Sequence, residues 1–368
     1  MNVENTKTDS EELIEGLGTD EDASLGEYPI DTLLIRNETR TVYDVLRRIK
    51  SGNYVMDPDF QRDFIWPEDK QSKLIESVLM RIPLPVFYLG EDAEGRMIVV
   101  DGLQRLSTFE GFVDNKLRLK LPNQIELNNK LFRELSAKLQ NRIEDCNLIL
   151  YIIDAKVPER ARLDIFERVN GGISLTRQQM RNCLFNGAAT QFLKREAETD
   201  TFKQATGNSL RSTTMRDREF VNRFCAFQLL SLDNYKDGMD EWLAMALKEM
   251  NKLDETALIK LSDEFQNSLR NNYFLFKNHA FRKHVQGQDR RGVLNASLWD
   301  VMVTGLAKYS HEQIVNHADE IKERFFNLID SEKFIWSITY GPNSPDRVKY
   351  RFEITQKMFE EIFNAHTS

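Results

Sequence analysis

The hydrophobic positions of the chain change their spacing near residue 101, where a strand pattern gives way to a helix pattern. Two short apolar runs, VFYLG over 86–90 and RMIVV over 96–100, flank the turn-forming residues 91–95 and predict a β-hairpin. After Asp101, large apolar residues recur at three- and four-residue spacing over 106–113, which is typical of a helix with one buried face. The second strand is therefore expected to deliver the chain directly to a helix start at Asp101.

The same pattern predicts further elements on both sides of this junction. They are expected as helices over 41–49, 67–80, 131–144 and 158–170 and as a strand over 147–153. From residue 176 onward the apolar spacing is almost wholly helical, and the aromatic residues on these stripes are expected to form a core. The pattern predicts an α+β fold, with a mixed α/β domain over 31–175 followed by a mainly helical domain over 176–368.

Charge sets a third segment apart from these two domains. Residues 1–30 contain nine acids and one lysine, so their net charge of −8 equals that of the whole 368-residue chain. Because this segment has few large apolar residues, we expect an acidic disordered tail, with a partner arm or a nucleic-acid mimic as the functional alternatives. The neutral remainder neither requires nor excludes a nucleic-acid partner, which needs only a local basic patch.

Cysteine usage and hydropathy bear on the compartment. The three cysteines, Cys146, Cys183 and Cys225, are far apart and form no CxxC pair, which favours reduced thiols over a structural zinc site. The chain has no apolar run of membrane-spanning length, and its first residues lack the pattern of a secretory signal. We therefore expect a cytoplasmic protein without a membrane partner.

The junction at 99–109, VVDGLQRLSTF, is the strongest candidate for a chemical site. A helix N-terminus offers unpaired N–H groups and partial positive charge, Gly102 permits close approach to the backbone, and Arg105 is a fork-shaped cation suited to phosphate. Gln104 can orient a water, and Asp101 can hold Mg²⁺, take a proton or cap the helix. The plain alternative is a capped turn in which Asp101 is the N-cap and Arg105 lies on the surface.

Three other stretches add polar residues, each with an ordinary alternative. FQRDFIW places Gln61 and Arg62 in an irregular segment, where they are either ligand contacts or surface residues. DIFERVNGG places Arg168 and Asn170 at a helix end, where they could serve only the helix dipole and the helix stop. Arg181 and Asn182, in RQQMRN over 177–182, either join the site or lie on an exposed helix face.

Taken together and in this order, these motifs resemble the GmrSD-type N-terminal domain family of bacterial modification-dependent restriction and phage-defence proteins. The resemblance rests on several spaced stretches: FQRDFIW over 60–66, KQSKLIESVLMRIPLP over 70–85, VVDGLQRLSTF over 99–109, IFERVNGGISL over 165–175, TRQQMRN over 176–182 and MRDREFVNRFCAF over 215–227. It implies a ParB-like (sulfiredoxin-like) fold for the α/β domain.

The family's signature is an Asp-Gly-Gln-Gln-Arg run associated with nucleotide binding and hydrolysis. Here the run reads Asp101, Gly102, Leu103, Gln104 and Arg105, so leucine replaces the first amide and any contact made by that amide is missing. The resemblance implies a nucleoside triphosphate with Mg²⁺ held at Asp101. It assigns catalysis to Asp101, Gln104 and Arg105, and nucleotide binding to Gln61, Arg62, Gly102, Ser107, Thr108, Arg168 and Asn170.

Two functions follow from this assignment. The first is a nucleoside triphosphatase that acts on or senses DNA. In that case Arg105→Ala should abolish hydrolysis. The second is a non-catalytic nucleotide or nucleic-acid sensor that docks a separate effector nuclease. Many relatives carry a His-Me finger nuclease domain, but none of the five histidines of this chain has the sequence context of that site. This difference favours the sensor. A purely structural helical adaptor would leave the arginine cluster unexplained, and direct nuclease action remains an alternative.

Overall fold

The computed structural model describes residues 14–17, 35–56, 66–92, 94–157, 161–163, 165, 176–236 and 238–364. The chain divides into two compact units. One, here called the sheet unit, is Glu27–Asn186, and the other, the helical unit, is Gly187–Ser368 together with Met1–Gly26.

The sheet unit is built on a five-stranded mixed sheet. Its strands are β1 (Ile35–Thr41), β2 (Tyr54–Val55), β3 (Phe87–Glu91), β4 (Met97–Asp101) and β5 (Asn147–Ile153), in the order β1-β5-β3-β4-β2. β3 and β4 form the expected antiparallel hairpin, β1 pairs antiparallel with β5, and the β3–β5 and β2–β4 pairs are parallel. The hairpin therefore lies inside the sheet, with β4 next to the short edge strand β2.

Helices of the sheet unit pack around this hairpin. They are α1 (Val42–Lys50), α2 (Glu68–Leu79), α3 (Leu103–Val113), α4 (Ala137–Glu144) and α5 (Arg177–Leu184). α3 packs against α1 and α2, and its core face carries Leu106, Phe109 and Phe112 as the spacing predicted. Met180 and Leu184 of α5 pack with Val100 of β4 in a separate apolar cluster. The start of α3 thus rests on well-packed neighbours.

The helical unit confirms the helical periodicity of its part of the sequence. Its helices are α6 (Ala188–Ala197), α7 (Asp200–Thr206), α8 (Arg216–Leu229), α9 (Met239–Met250), α10 (Glu255–Phe276), α11 (Ala296–Ala307), α12 (His311–Asn316), α13 (Ala318–Asp330), α14 (Glu332–Thr339) and α15 (Pro345–Asn364). The aromatic stripes are core: the rings of Phe224 and Phe265 lie 4.7 Å apart, and those of Phe220 and Trp299 lie 5.2 Å apart. The α+β class is confirmed.

Part of the acidic N-terminal segment contacts the helical unit. The backbone of Glu15 donates to Leu294 O and accepts from Ala296 N, both at 2.8 Å, and its carboxylate lies 2.6 Å from Lys283 Nζ. Gly16 has φ +73°, and an added Cβ would lie 3.0 Å from Asn295 Oδ1, so the contact suits glycine. Apart from residues 14–17, the expected tail over 1–30 lies outside the described residues.

Two expected helices differ from the structure. The single helix over 131–144 is wrong, because a short 3₁₀ turn at Phe132–Glu134 precedes α4. The Glu134 carboxylate accepts the Leu131 N–H at 2.8 Å and closes that turn, and Leu135 and Ser136 are extended. Of the helix expected over 158–170, only residues 161–163 and 165 are described, and these are helical.

Candidate functional site

The junction between β4 and α3 is a bulge followed by a left-handed glycine. Tyr88 pairs with Asp101 while Leu89 pairs with Val99, so β4 carries one extra residue, Val100. A β-bulge of this kind bends the strand and redirects the side chains beside it. Gly102 follows with φ +101° and is the N-cap of α3, so the expectation that Asp101 caps this helix is wrong.

Gly102 is required for packing as well as for its backbone conformation. Its φ lies in the region that side chains disfavour, and an added Cβ would lie 2.2 Å from Cδ1 of Phe87. Phe87 is fully buried, so its ring has little room to move. The ring occupies the place where a side chain at position 102 would lie.

Arg105 is buried and acts as a clamp, because its side chain bonds residues at the ends of two strands. Its guanidinium donates to Pro85 O at 2.5 Å, Val86 O at 3.0 Å and Asp101 Oδ2 at 2.7 Å, and it stacks 4.2 Å from the centre of the Phe87 ring. Only 7% of the residue is exposed, so the surface alternative for Arg105 is wrong. Burial lowers the pKa of Arg105, and the Asp101 carboxylate opposes that shift. The arginine thus ties the entry of β3 to the end of β4.

Asp101 is the exposed member of this group. Its side chain is 35% exposed, and its Oδ2 is held by Arg105, while Oδ1 accepts no hydrogen bond from any described residue. A carboxylate with one oriented oxygen and one open oxygen is suited to a hydrated cation or to a proton transfer. Asp101 is therefore the group in the motif that a ligand can reach most directly.

Gln104 and the two hydroxyl residues have distinct surroundings. Gln104 Oε1 accepts the Trp66 N–H at 3.0 Å, and Gln71 Nε2 donates to Trp66 O at 2.6 Å, so Trp66 is fixed at the start of α2. Thr108 is buried and its hydroxyl donates to Gln104 O at 2.7 Å, whereas Ser107 is exposed. Gln104 therefore anchors the end of the FQRDFIW stretch.

The structure brings Asp101, Gly102 and Arg105 together, with Gln104 alongside. The other expected contacts, Gln61, Arg62, Arg168 and Asn170, lie outside the described residues. Leu103, which replaces the family's first amide, is 4% exposed and belongs to the core.

Sequence reasoning missed the partners of Arg105. They are main-chain carbonyls of the segment IPLPVF, whose two prolines have no N–H to offer a sheet. Two prolines just before a strand could have indicated carbonyl groups that need a side-chain donor.

Helix α5 is buried, so the exposed-face interpretation of Arg181 and Asn182 is wrong. Both residues are 1% exposed. Gln178 connects them, since its Oε1 accepts from Arg181 Nε at 3.0 Å and its Nε2 donates to Asn182 Oδ1 at 2.9 Å. Buried polar side chains are hydrogen-bonded as a rule, and these two bonds supply part of that requirement from within the helix.

A resident metal centre does not fit the described residues. Among them, no three histidine, cysteine or acidic side chains lie close enough to hold a metal ion. Mg²⁺ commonly uses one or two carboxylates together with substrate phosphates, so Asp101 alone fits only a cation that arrives with a nucleotide. In the same part of the chain, no helix combines the length and apolar character needed to cross a membrane.

Comparison with protein families gives a match over the sheet unit. Residues 42–186 match the family described as GmrSD restriction endonuclease, N-terminal domain. This segment runs from the first residue of α1 to the end of the sheet unit, and it includes β4, α3 and the whole Asp101–Arg105 motif. A search of curated proteins finds no matching relative.

Proposed function

Residues 42–186 carry a domain of the GmrSD restriction endonuclease N-terminal family, and from this premise we propose a nucleotide-dependent role in bacterial DNA restriction or phage defence. The family itself indicates restriction or defence. The nucleotide, its hydrolysis and the sensing of DNA are our proposal. The observation that supports them is the half-exposed Asp101 carboxylate, oriented by a buried arginine at the start of α3.

In the proposed mechanism, the phosphates lie against the first turn of α3. Backbone N–H groups of a first helical turn lack intrahelical acceptors and carry partial positive charge, which suits phosphate oxygens. The N-cap residue, Gly102, has no side chain with which to accept from these N–H groups. A Mg²⁺ ion bound with the nucleotide would neutralise phosphate charge, and Asp101 would be its protein ligand.

The roles of the chain's own residues follow from their contacts. Arg105 fixes Asp101 Oδ2 and so turns Oδ1 toward the ligand. Gln104 holds Trp66 and thereby the end of the segment that contains Gln61 and Arg62. Phosphoryl transfer depends mainly on positioning and charge, so a small, rigid group of residues is adequate.

A sensor without turnover is the second candidate, and the structure offers a specific reason for it. The Arg105 guanidinium and Gln104 Oε1 are bound to other parts of the fold, and position 103 is a buried leucine. Fewer groups are then left to stabilise a transition state. A sensor would bind nucleotide or DNA saturably and would pass the signal to a separate effector nuclease.

Asp101→Asn tests the nucleotide site. We expect this variant to fold normally and to lose at least tenfold in Mg²⁺-dependent affinity, because a neutral amide is a poor ligand for a hard cation. Calorimetry with ATP, GTP, CTP and UTP, with and without DNA, measures binding, and phosphate release measures turnover. Asp114→Asn is the matched control, because Asp114 caps the opposite end of α3 and pairs with Lys50.

The outcomes separate the two candidates. Binding with phosphate release supports the hydrolase, and binding without release supports the sensor. If the wild-type protein binds none of the four nucleotides under any of these conditions, the nucleotide proposal is wrong.

A further inference from the structure

We propose that a second site in the sheet unit, a basic cleft beside α4, binds the phosphate backbone of DNA. The cleft has a volume of about 540 Å³ and lies between the connection from α2 to β3 and the helix α4. Apolar and polar residues both line it: Val78, Arg81, Ile82, Pro83, Leu84, Lys138, Asn141, Arg142, Asp145, Cys146 and Asn147. The inference rests on the proposed function in one respect, that DNA is what the protein senses.

The charge of the cleft favours an anion. The cleft is lined by three basic residues, Arg81, Lys138 and Arg142, and by one acid, Asp145. Its formal charge is therefore +2. Arg81 and Lys138 are exposed, and no described residue forms an ion pair or side-chain hydrogen bond with either. Several other cations of the unit, such as Arg36 with Glu91, are held by carboxylates. The cleft therefore presents cations that remain available to a ligand.

Arg81 occupies a backbone position that disfavours it. It follows α2 with φ +61°, in the left-handed turn closed by Arg81 N to Val78 O and Ile82 N to Ser77 O, both at 2.9 Å. Glycine is the usual residue at this position, because a side chain there is strained. An arginine that accepts this strain, yet has no side-chain partner among the described residues, is better explained by a ligand than by the fold.

The C-terminal ends of two helices disfavour an anion in the cleft, and the partial negative charge of one of them is compensated within the fold. α2 and α4 both end at the cleft, and helix C-termini carry partial negative charge. Arg142 Nη1 donates to Leu79 O at 2.9 Å and so compensates the end of α2. Arg142 is thus largely committed, and Arg81 and Lys138 are the two cations left to contact phosphate.

A DNA backbone fits this surface better than a free nucleotide does. Exposed, flexible cations on a rim supply a sequence-independent attraction, which is how proteins hold DNA phosphates. The residues that line the cleft include no glycine, so no bare backbone loop is present there to enclose a terminal phosphate. Ile82, which lines the cleft and is 47% exposed, offers an apolar surface to the sugars of a bound strand.

The test measures DNA affinity of the full chain with the double variant Arg81→Gly/Lys138→Gln. A fluorescent duplex is titrated by anisotropy at several salt concentrations. We expect roughly threefold weaker binding for each cation removed and a salt slope smaller by about 0.9 for each lost contact. Arg81→Gly should melt no lower than the wild type, because glycine relieves the strained turn. Arg81→Lys should retain the affinity, because a point charge suffices for a phosphate.

Lys73→Gln is the matched control, because Lys73 is an exposed cation of α2 that does not line the cleft. Unchanged DNA affinity in the double variant, or an equal loss in Lys73→Gln, overturns the assignment. Weakened ATP binding with unchanged DNA binding would assign the cleft to free phosphates and also overturns it. If the wild type binds no DNA at low salt, the DNA part of the proposed function fails as well, whereas failure of the cleft variants alone leaves that part intact.

Discussion

Arg105→Ala is expected to destabilise the sheet unit, and any loss of nucleotide activity will follow from that. The substitution leaves the partly buried carbonyl oxygens of Pro85 and Val86 without this donor and removes the partner of Asp101. Two lost hydrogen bonds from a charged donor and a broken ion pair together cost about 3 kcal/mol, less than for fully buried groups because Asp101 and the two carbonyls are partly exposed to solvent. Thermal unfolding measures the loss, and hydrogen exchange of peptides over 82–113 locates it.

Two further variants sharpen the interpretation of this result. Arg105→Lys keeps the charge, but one ammonium cannot match the planar fork that reaches two carbonyls and a carboxylate, so most of the loss should remain. Arg133→Ala removes an exposed arginine of the same unit and should leave stability near that of the wild type. If Arg105→Ala unfolds at the wild-type temperature, Arg105 is not a clamp and a direct ligand role regains strength.

The consequence for function is that lost hydrolysis in Arg105→Ala does not by itself identify a catalytic arginine. Asp101→Asn is the more informative change, because Arg105 can still donate to Pro85 and Val86 in that variant. Nucleotide binding and unfolding must be measured on the same preparations. Activity lost in Asp101→Asn at unchanged stability assigns the carboxylate to the ligand.

Local patterns were sufficient for the hairpin and for α3, since the strands are short apolar runs on either side of a turn and the helix places its apolar residues on one buried face. Leu106, Phe109 and Phe112 are buried, and β3 pairs with β4 across the expected turn. β1 escaped prediction because its sequence, IRNETRT, is mostly polar and alternates between exposed and half-buried positions. It belongs to the sheet through pairing with the apolar strand β5, which is a contact between distant parts of the chain.

The candidate site was predictable in its location and only partly in its roles. A strand end, a glycine and an arginine in sequence indicated the junction, and the structure places them together. The targets of Arg105 and Gln104 lie about twenty and nearly forty residues upstream, and no local periodicity encodes such contacts. For the same reason, the burial of Arg181 could not be read from a helix that is rich in polar residues.

Asp300→Asn is expected to give the largest loss of stability in the helical unit. Asp300 accepts from Arg223 Nε and Nη2 at 2.7 Å and from Arg351 Nη2 at 3.0 Å, and all three side chains are fully buried. One carboxylate thus serves two buried cations, and Asp300 raises the pKa of Arg223 against the effect of burial. Without its charge, two guanidiniums lie together in the interior, at a cost of about 3–5 kcal/mol.

The measurement is urea unfolding followed by tryptophan fluorescence. Three of the four tryptophans lie in the helical unit, and Trp299 is adjacent to Asp300. Asp319→Asn is the control, because Asp319 is fully exposed and only 3.8 Å from Lys322 Nζ. A midpoint for Asp300→Asn as close to the wild type as that of Asp319→Asn would contradict the argument.

The charge network should also control the docked N-terminal segment. Arg351 donates to Pro342 O, Tyr235 donates to Asn343 O at 2.8 Å, and Asn343 Nδ2 donates to Leu17 O at 2.6 Å. Loss of Asp300 is therefore expected to raise hydrogen exchange at residues 14–17 before the unit unfolds globally. A triple variant with Arg223→Met, Asp300→Leu and Arg351→Met removes all three charges and should regain much of the stability, because no buried ion is then left unpaired. If that variant is as unstable as Asp300→Asn, geometry rather than charge balance governs this part of the core.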